Sequence, residues 1–410
     1  MKKGKNIVGE GRAYGLLIGL MIGLMGLMGC SKDETSAGGS NGQRVASTEV
    51  EVASFVTRYD EANEANRANG AEANEAYGAH RAWTIPSGYV AYEDGVQPIG
   101  IAFTQNGVDP TIGTGTAESP KPMIGSFFKS GDKWRTNINE IPAGTYQLYG
   151  YIPHQTAINY SITDYNGANG AYSEGAIMKL EKVPTVMPND LCVVIGAKHG
   201  YDREHDSGLR MGDFSFTAKQ GTDSKDYVFL LFDHLYAALK VNMSIYADYA
   251  KLRTIKLKSL QLSTQAGDET TRQRTDITIK LRATDGGVNP IENITYDQPA
   301  TYPAIEGGLE FWSNSAGTAL TTAPQPFIGH YMPLGITRLS LTSVYDVYDK
   351  KENLIRKDCK ATNHMLLSEL FSGQTYTERG KRYTINMTIQ PTYIYMLSEP
   401  DLDNPTVVVN

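Results

Sequence analysis

The densest group of side chains capable of metal chemistry is the run HGYDREHD at residues 199–206, which contains two histidines and three carboxylates. Imidazole and carboxylate groups bind zinc or calcium when the fold fixes their spacing. Arg203 lies among them, however, and no helical pattern holds the ligands in register. We therefore interpret this segment as a solvated loop and expect no metal site.

Catalytic motifs are absent from the sequence. It contains no HExxH, no GxSxG, no glycine-rich phosphate loop ending in GK[ST] and no CxxC pair. His234 lies in a strongly apolar stretch and is interpreted as a structural histidine. These observations predict a protein that is not an enzyme and carries no cofactor.

Cys30 offers a different chemistry, because it can be acylated. It follows four basic residues within the first twelve and the apolar run GLLIGLMIGLMGLMG at residues 15–29. This run is shorter than the roughly 20 residues of a membrane-spanning helix. Residues 1–29 are therefore predicted to be an export signal, with a transmembrane anchor as the alternative.

Small residues followed by Cys30 resemble the lipobox of bacterial lipoproteins, which implies cleavage before Cys30 and a lipid on its thiol. The acidic stretch Ser31-Lys32-Asp33-Glu34 resembles the export tag that directs lipoproteins of the Bacteroidia to the outer face of the outer membrane. The expected localisation is therefore the cell surface, with the precursor held in the outer membrane by its lipid.

The net charge bears on the binding partners of the protein, and the cysteine content bears on disulfide formation. The full chain carries −7, and the chain from Cys30 onward would carry −10 because residues 1–29 hold four basic residues and one acidic residue. A surface this acidic argues against nucleic acid, whose binding depends on basic residues. Cys192 and Cys359 could form a disulfide outside the cytoplasm, but two isolated cysteines are better interpreted as buried thiols.

A single strand is predicted ahead of the body of the protein. Residues 48–58, TEVEVASFVTR, alternate apolar and polar side chains as a half-buried strand does,. Residues 31–47 before it are small and polar. Residues 60–80 after it are almost wholly Ala, Asn, Glu and Gly, a composition typical of a linker. The first strand is thus expected to be joined to the body by an accessible segment.

The body is predicted to be all-β. Strands are expected at 97–104, 133–137, 144–152, 176–181, 190–197, 253–263, 276–282, 307–312, 325–331, 336–344 and 382–390. Residues 227–245 are too apolar for a surface strand and predict one buried strand or a strand–turn–strand. Residues 364–371 predict one or two helical turns. Short strands separated by Gly and Pro favour β-sandwiches.

Tyrosines are the most frequent aromatic residues, and three of them occur in one predicted strand. Tyr146, Tyr149 and Tyr151 in residues 144–152 are expected to share one face of that strand. Such a row can stack on a sugar, but packing inside the protein is its more common use.

The order of these features resembles the fimbrillin family, the lipoprotein subunits of type V fimbriae in the Bacteroidia. The features are Cys30 after its lipobox-like run, one strand before an accessible segment, His80-Arg81-Ala82-Trp83, the pattern FxHxxAxLKV from Phe232 to Val241, and GKRYTINMTIQP near the end. The resemblance implies two tandem transthyretin-like β-sandwich domains. Their expected bounds are 82–226 and 227–391, after a lipidated propeptide at 30–81 and before a tail at 392–410.

The resemblance also implies a mechanism of assembly. An arginine-specific or trypsin-like protease would cut after an arginine beyond the first strand, and another subunit would then donate a strand to the exposed sheet edge. Arg81 matches the family's Arg-Ala-aromatic position, and Arg58 and Arg67 are alternative sites. The tail is the candidate donor strand, but Pro400 and Pro405 interrupt it, unlike the tails of major shaft subunits. A shaft, tip or accessory position therefore stays open.

Two other functions share this export signal. One is a carbohydrate-binding lipoprotein that captures glycans for uptake, whereas an adhesive fimbrial subunit would bind a host or bacterial surface ligand. The other is a fimbrial anchor subunit that keeps the lipid on Cys30 and ends assembly. Cleavage at Arg81 would separate the body from its lipid, so the state of Cys30 and Arg81 distinguishes these functions.

Overall fold

The computed structural model describes residues 49–62, 88–92, 97–105, 122–138, 141, 144–168, 172–200, 210–218, 226–284, 287–305, 307–332, 334–390 and 406–409. Strands dominate these residues, which confirms the predicted all-β class. Among the described residues, helical structure is limited to α1 (Ala247–Leu252), α2 (Leu367–Leu370) and a 3-10 turn (Tyr172–Glu174). Neither α-helix has the length and apolar character needed to cross a bilayer, and no other described segment is such a helix.

The described strands follow one another along the whole chain. In chain order they are β1 (Glu49–Thr57), β2 (Asp60–Glu61), β3 (Tyr89–Ala91), β4 (Ile99–Thr104), β5 (Met123–Ser130), β6 (Lys133–Thr136), β7 (Gly144–Ile152), β8 (Asn159–Asp164), β9 (Gly175–Pro184), β10 (Cys192–Gly200), β11 (Ser215–Ala218), β12 (Asp226–His234), β13 (Ala237–Ile245), β14 (Thr254–Ala266), β15 (Glu269–Thr270), β16 (Arg274–Arg282), β17 (Ile291–Asp297), β18 (Leu309–Ala319), β19 (Gln325–Met332), β20 (Arg338–Tyr348), β21 (Leu354–Leu366), β22 (Lys381–Gln390) and β23 (Thr406–Val409).

The first core is enclosed by a sheet that closes on itself. Its strands follow the order β10-β12-β1-β6-β5-β4-β7, and β7 pairs again with β10 to complete a ring of seven strands. β3 pairs with β1, and β11 pairs with β7. A second sheet, in the order β17-β16-β9-β8, packs against this ring. Met178, Leu180, Ile277 and Ile279 of this second sheet are buried in the first core.

The second core lies between two further sheets. One has the order β19-β13-β22, with β2 and β23 both on the remaining edge of β22. The other has the order β15-β14-β20-β21, with β18 also pairing with β14. Alternating side chains of these strands, such as Val241, Leu257, Tyr345 and Ile385, are buried between the sheets. Both cores lie within one compact unit of the chain.

The predicted strand–turn–strand at 227–245 spans the change from one core to the other. β12 belongs to the first core and β13 to the second, and Tyr236 is the last residue of this run that is buried in the first core. β16 and β17 also return to the first core, because β16 pairs with β9 and buries its isoleucines there. Local sequence patterns give the strands but not the core in which each strand packs.

Candidate functional site

The first described strand, β1, is an internal member of the closed ring. β1 runs parallel to β12 over seven paired positions, from Val50↔Asp226 to Val56↔Phe232. On its other side β1 pairs antiparallel with β6 near its start and with β3 at its end. Since no other described strand joins β12 to β6, β1 is the strand that closes the ring.

β1 also supplies side chains to the first core. Val50, Phe55 and Val56 are 8%, 6% and 6% exposed, and Val52 and Ala53 pack half-buried against the same core. Burying a side chain such as Val or Phe is worth about 1.5–3 kcal/mol relative to leaving it exposed. The strand is therefore held by its side chains as well as by its backbone pairing.

Beyond Thr57 the chain reaches the second core. The Asp60 N–H donates to the Gly380 carbonyl (2.8 Å), and the Ala62 N–H donates to the Arg382 carbonyl (2.9 Å). These bonds place β2 parallel to the start of β22. The stretch from residue 49 to residue 62 thus contacts both cores.

Side chains from five parts of the chain meet where β1 ends, and we call this group the strand-end cluster. Its members are Thr57, Tyr59, Asp190, Cys192, Asp233, His234 and Arg379. They come from the end of β1, the residues between β1 and β2, the start of β10, the end of β12 and the loop before β22. The fold brings together residues that are far apart in the sequence.

Tyr59 covers the cluster. Its ring stacks on His234 with the ring centroids 3.7 Å apart, and its hydroxyl donates to Asp190 Oδ1 at 2.7 Å. Burial raises the pKa of Tyr59 well above its usual value, and the nearby Asp190 carboxylate adds to the rise,. The phenol therefore stays neutral and remains a hydrogen-bond donor.

His234 lies at the centre of the cluster and is almost fully buried. Its Nε2 is 2.6 Å from the Thr57 carbonyl oxygen. Its Nδ1 is 2.8 Å from Asp190 Oδ2 and 3.7 Å from Cys192 Sγ. The histidine is buried and hydrogen-bonded, and it connects the backbone of β1 to β10 and β12.

Asp233 is the second buried carboxylate of the cluster. It accepts hydrogen bonds from Thr57 Oγ1 (2.8 Å) and Asn289 Nδ2 (2.7 Å), and it forms an ion pair with Arg379. Burial by itself would raise the pKa of Asp233, but the Arg379 guanidinium and the hydrogen bonds hold it below its usual value,. The ionised carboxylate therefore links β1 and β12 to the loop before β22.

The structure describes only part of the predicted processing and lipidation residues. Cys30, Arg67 and Arg81 lie outside the described residues. Arg58 is described and exposed, and its backbone N–H donates to the Gly88 carbonyl at 3.2 Å. It lies between β1 and β2, so a cut after Arg58 would leave Tyr59 on the protein body.

The other predicted candidates have varied outcomes. Most of the run at 199–206 lies outside the described residues, as do residues 392–405 and 410 of the tail. The end of the tail is described, and β23 pairs antiparallel with β22 of the same chain. Cys192 and Cys359 are buried and neither forms a disulfide, which confirms the interpretation as buried thiols.

The prediction that three tyrosines share one face of β7 is wrong. Tyr146 contacts Phe103, whereas the Tyr149 hydroxyl donates to the Tyr172 carbonyl at 3.0 Å and Tyr151 packs on Tyr160. Residues 146 and 149 are an odd number of positions apart, so their side chains point to opposite faces of a strand. All three are buried, and they form no exposed sugar-stacking surface.

Sequence reasoning did not single out Tyr59, Asp190 or Arg379. Tyr59 and Asp190 follow and precede strands, where polar residues are ordinary, and Arg379 lies in a polar loop. One weak signal was present, because Asp233 and His234 form a polar pair inside an apolar run. A polar pair in such a run requires buried partners, although the sequence does not identify them.

A polar cavity of about 640 Å³ lies on the first core, away from the strand-end cluster. Lys198, Arg210 and Asp213 line it together with Gln147 and Thr284. Gln147 Oε1 and Thr284 Oγ1 are buried atoms with no hydrogen-bond partner among the described residues. The lining therefore offers both hydrogen-bond donors and acceptors to a polar ligand.

Comparison with known proteins gives likeness only at the level of solved structures. No family model matches the chain, and no curated protein matches it. Similar structures include a candidate cell adhesion protein of Bacteroides uniformis, at 12% identity over 89% of this chain and 99% of that one, with a TM-score of 0.32.

Two fimbrial proteins show a similar degree of likeness. A fimbrial protein of Bacteroides vulgatus is 13% identical over 76% of this chain and 91% of that one, with a TM-score of 0.32. The fimbrial anchor protein Mfa2 of Porphyromonas gingivalis is 12% identical over 87% and 95%, with a TM-score of 0.26. Likeness at this level carries no argument about function, which must come from the chain itself.

Proposed function

We propose that this chain is a structural and adhesive subunit of a type V fimbria that assembles by strand exchange. The observation that carries the proposal is the position of β1. The most N-terminal described strand closes a ring between β12 and β6, although it precedes a linker-like segment in the sequence. The order of sequence features that resembles fimbrillins supports the same function.

Removal of β1 would create an acceptor site in the ring. The edge of β12 would lose its partner over seven positions, and unpaired backbone groups at a sheet edge favour the addition of another strand. The places of Val50, Phe55 and Val56 would become apolar pockets. A donated strand with apolar side chains at matching positions would fill them, as in strand addition generally.

The tail of another copy, or of a related subunit, is the candidate donor. Residues 392–410 contain apolar residues at alternate positions and end in Val-Val-Val before Asn410. In the isolated chain the end of this tail pairs with its own β22. Exchange would move the tail from this intramolecular position to the ring of the next subunit.

Cleavage after Arg81 is the processing step that fits this function best. A cut at this position would separate all of residues 49–62 from the body, including both β1 and Tyr59. A cut after Arg58 would leave β2 bound to β22. Arg67 lies beyond β2 and is the alternative that would also release both strands.

The processing step is tested in the full chain with three matched variants, Arg81→Gln, Arg67→Gln and Arg58→Gln. Mass spectrometry of the surface protein gives its N-terminus, and an SDS gel of unheated samples gives its oligomers. Arg81→Gln is expected to keep residues 30–81 and lose the ladder of oligomers, while the other two begin at Ala82. A wild-type surface protein that never shortens would refute the polymerising function and favour the anchor subunit.

Lipidation of Cys30 is the delivery step of the same proposal. The lipid would hold the precursor in the outer membrane until a protease of trypsin-like specificity frees the body. Labelling with radioactive palmitate should mark the precursor and not the form that begins at Ala82. Cys30→Ala should abolish the label and the surface location together.

A glycan-binding function is the second candidate, and the polar cavity favours it. Two of its buried oxygen acceptors, on Gln147 and Thr284, lack partners among the described residues. The test is a glycan array with the full chain and with Gln147→Leu, beside Gln325→Leu as a control at an unrelated site. Binding that Gln147→Leu removes, with no polymerisation, would favour this function over the fimbrial one.

A further inference from the structure

Three potential metal ligands converge inside the strand-end cluster. Asp190, Cys192 and His234 each offer one ligand atom, and these atoms lie within 4.8 Å of one another. The residues are 5%, 0% and 1% exposed. They belong to two strands of the ring. Cys192 is the first residue of β10, Asp190 lies two residues before it, and His234 is the last residue of β12.

The contacts of His234 leave its Nδ1 facing the other two ligand atoms. Nε2 faces the Thr57 carbonyl at 2.6 Å, and a carbonyl only accepts, so Nε2 carries a proton. In a neutral imidazole Nδ1 then has a lone pair. That lone pair faces Asp190 Oδ2 at 2.8 Å and Cys192 Sγ at 3.7 Å. Three electron-rich atoms this close require a shared positive species, either a proton or a metal ion.

The ligand chemistry matches a zinc-class ion. One imidazole, one thiolate and one carboxylate are all typical zinc ligands, with Zn–N near about 2.0–2.1 Å and Zn–S near about 2.3 Å. The distance of 3.7 Å between Cys192 Sγ and His234 Nδ1 is that of two ligands at a tetrahedral centre with these bond lengths. The Asp190 oxygen is closer to His234, and a small rotation of its carboxylate would open the site.

The outer partners of the three ligands are also in place. A metal-binding histidine almost always donates its second ring N–H to a carbonyl or carboxylate, and the Thr57 carbonyl fills this role here,. The Tyr59 hydroxyl orients Asp190 through its other oxygen, Oδ1. Both partners belong to the N-terminal stretch that runs from β1 to β2.

We propose that Asp190, Cys192 and His234 bind one zinc-class divalent metal ion, with Thr57 and Tyr59 as its outer shell. Bound metal would strengthen the attachment of the N-terminal strand to the body, because the strand supplies the groups that orient the ligands. This inference does not depend on the fimbrial function, since it requires only the strand as it lies in the intact chain.

The first test uses the full chain produced with Co²⁺, a zinc substitute whose bond to a thiolate absorbs in the near ultraviolet. One cobalt ion per chain and a thiolate absorption band are expected. Cys192→Ser should remove the band, and Cys359→Ser should keep it because Cys359 is a buried thiol in the second core. A thiolate band that remains in Cys192→Ser, or that disappears equally from both variants, would overturn the proposal.

The second test separates the outer shell from general stability. Tyr59→Phe keeps the stacked ring and removes the hydroxyl, so a roughly 10–100-fold weaker affinity for Zn²⁺ is expected in competition with a chelator. Tyr376→Phe is the matched control, because Tyr376 is exposed. A full chain that binds neither Zn²⁺ nor Co²⁺ would overturn the metal site and leave a proton at the shared position. An unchanged Zn²⁺ affinity in Tyr59→Phe would overturn the part of the proposal that places Tyr59 in the outer shell.

Discussion

The two ends of the described chain add strands to the two cores in opposite ways. β1 lies inside the closed ring, pairs with strands on both sides and buries Val50, Phe55 and Val56. β23 lies on the outer edge of β22, which is its one partner among the described strands, and forms four residue pairs. The first strand is therefore a structural member of its core, whereas β23 is an addition to an edge.

This difference bears directly on strand exchange. The strand proposed to leave is held by side chains, by ladders on both sides and by the strand-end cluster. A strand held this strongly is expected to be replaced by a donor and not simply lost. The described end of the proposed donor tail, β23, pairs with a single strand among the described strands. We therefore expect it to be released to a neighbouring subunit at a smaller energetic cost than β1.

The largest effect is expected when residues 1–62 are removed from the chain. The ring would lose its closing strand and the first core would lose three buried side chains, a change on the scale of the roughly 5–15 kcal/mol by which domains are stable. Hydrogen exchange should show β12 and β6 unprotected, and adding a peptide of residues 48–62 should restore their protection.

The matched control for this deletion is a chain that lacks residues 406–410. Its β12 and β6 amides should stay as protected as those of the full chain. Full protection of β12 in the absence of both residues 1–62 and the peptide would show that β1 is dispensable, and the contrast between the two ends would fail.

Phe55→Ala is expected to have the next largest effect. Phe55 is 6% exposed in the first core, and removing such a ring costs about 3–5 kcal/mol. Denaturant unfolding measures the loss, and hydrogen exchange locates it. The loss of protection should be concentrated in β12 and β3, the strands paired with β1 near this residue.

Phe371→Ala provides the counterpart in the second core, where Phe371 is 3% exposed and packs on Tyr383. A similar loss of stability is expected, but with reduced protection in β22. If each substitution loosens both cores equally, the cores unfold as one cooperative unit and the contrast between them does not extend to stability.

Arg379→Met tests the link between the cores. The substitution leaves the buried Asp233 carboxylate without its cationic partner, and breaking a buried pair in this way costs about 3 kcal/mol,. Arg382→Met is the control, since Arg382 lies over the Tyr59 ring at 5.3 Å and such a contact contributes about 0.5–1 kcal/mol,. Urea unfolding measures the loss of stability in both variants. Equal losses would show that the ion pair between Asp233 and Arg379 does not link the two cores.

Much of the fold could be predicted because strand signals are local. The alternation of apolar and polar residues at the start of EVEVASFVT lies within β1. The long apolar run of residues 227–245 required burial whatever its partners. β21 was not predicted, because its exposed face carries charges in RKDCK that interrupt the apolar pattern. β8 and β17 were not predicted either, because they are edge strands of a four-stranded sheet and have few buried residues to produce an apolar pattern.

The strand-end cluster could not be predicted, because its contacts join residues far apart in the chain. Thr57 meets Asp233, and Tyr59 meets Asp190, across more than a hundred residues. The periodicity of apolar residues along the sequence does not indicate such long-range pairs. The parallel register of β1 on β12 determines them, and that register depends on the packing of the whole ring.

The smallest effect is expected when residues 406–410 are removed. A backbone hydrogen bond contributes about 0.5–1.5 kcal/mol net, and ordering the backbone of one residue costs about 1–2 kcal/mol. The four pairs of β23 therefore nearly balance the cost of ordering it, and a change in the free energy of unfolding below about 1 kcal/mol is expected in urea. Val408→Pro is the matched variant, because it removes one N–H from β23 without shortening the chain,. A loss of several kcal/mol in either variant, comparable to that of Phe55→Ala, would make the tail as integral to the second core as β1 is to the first.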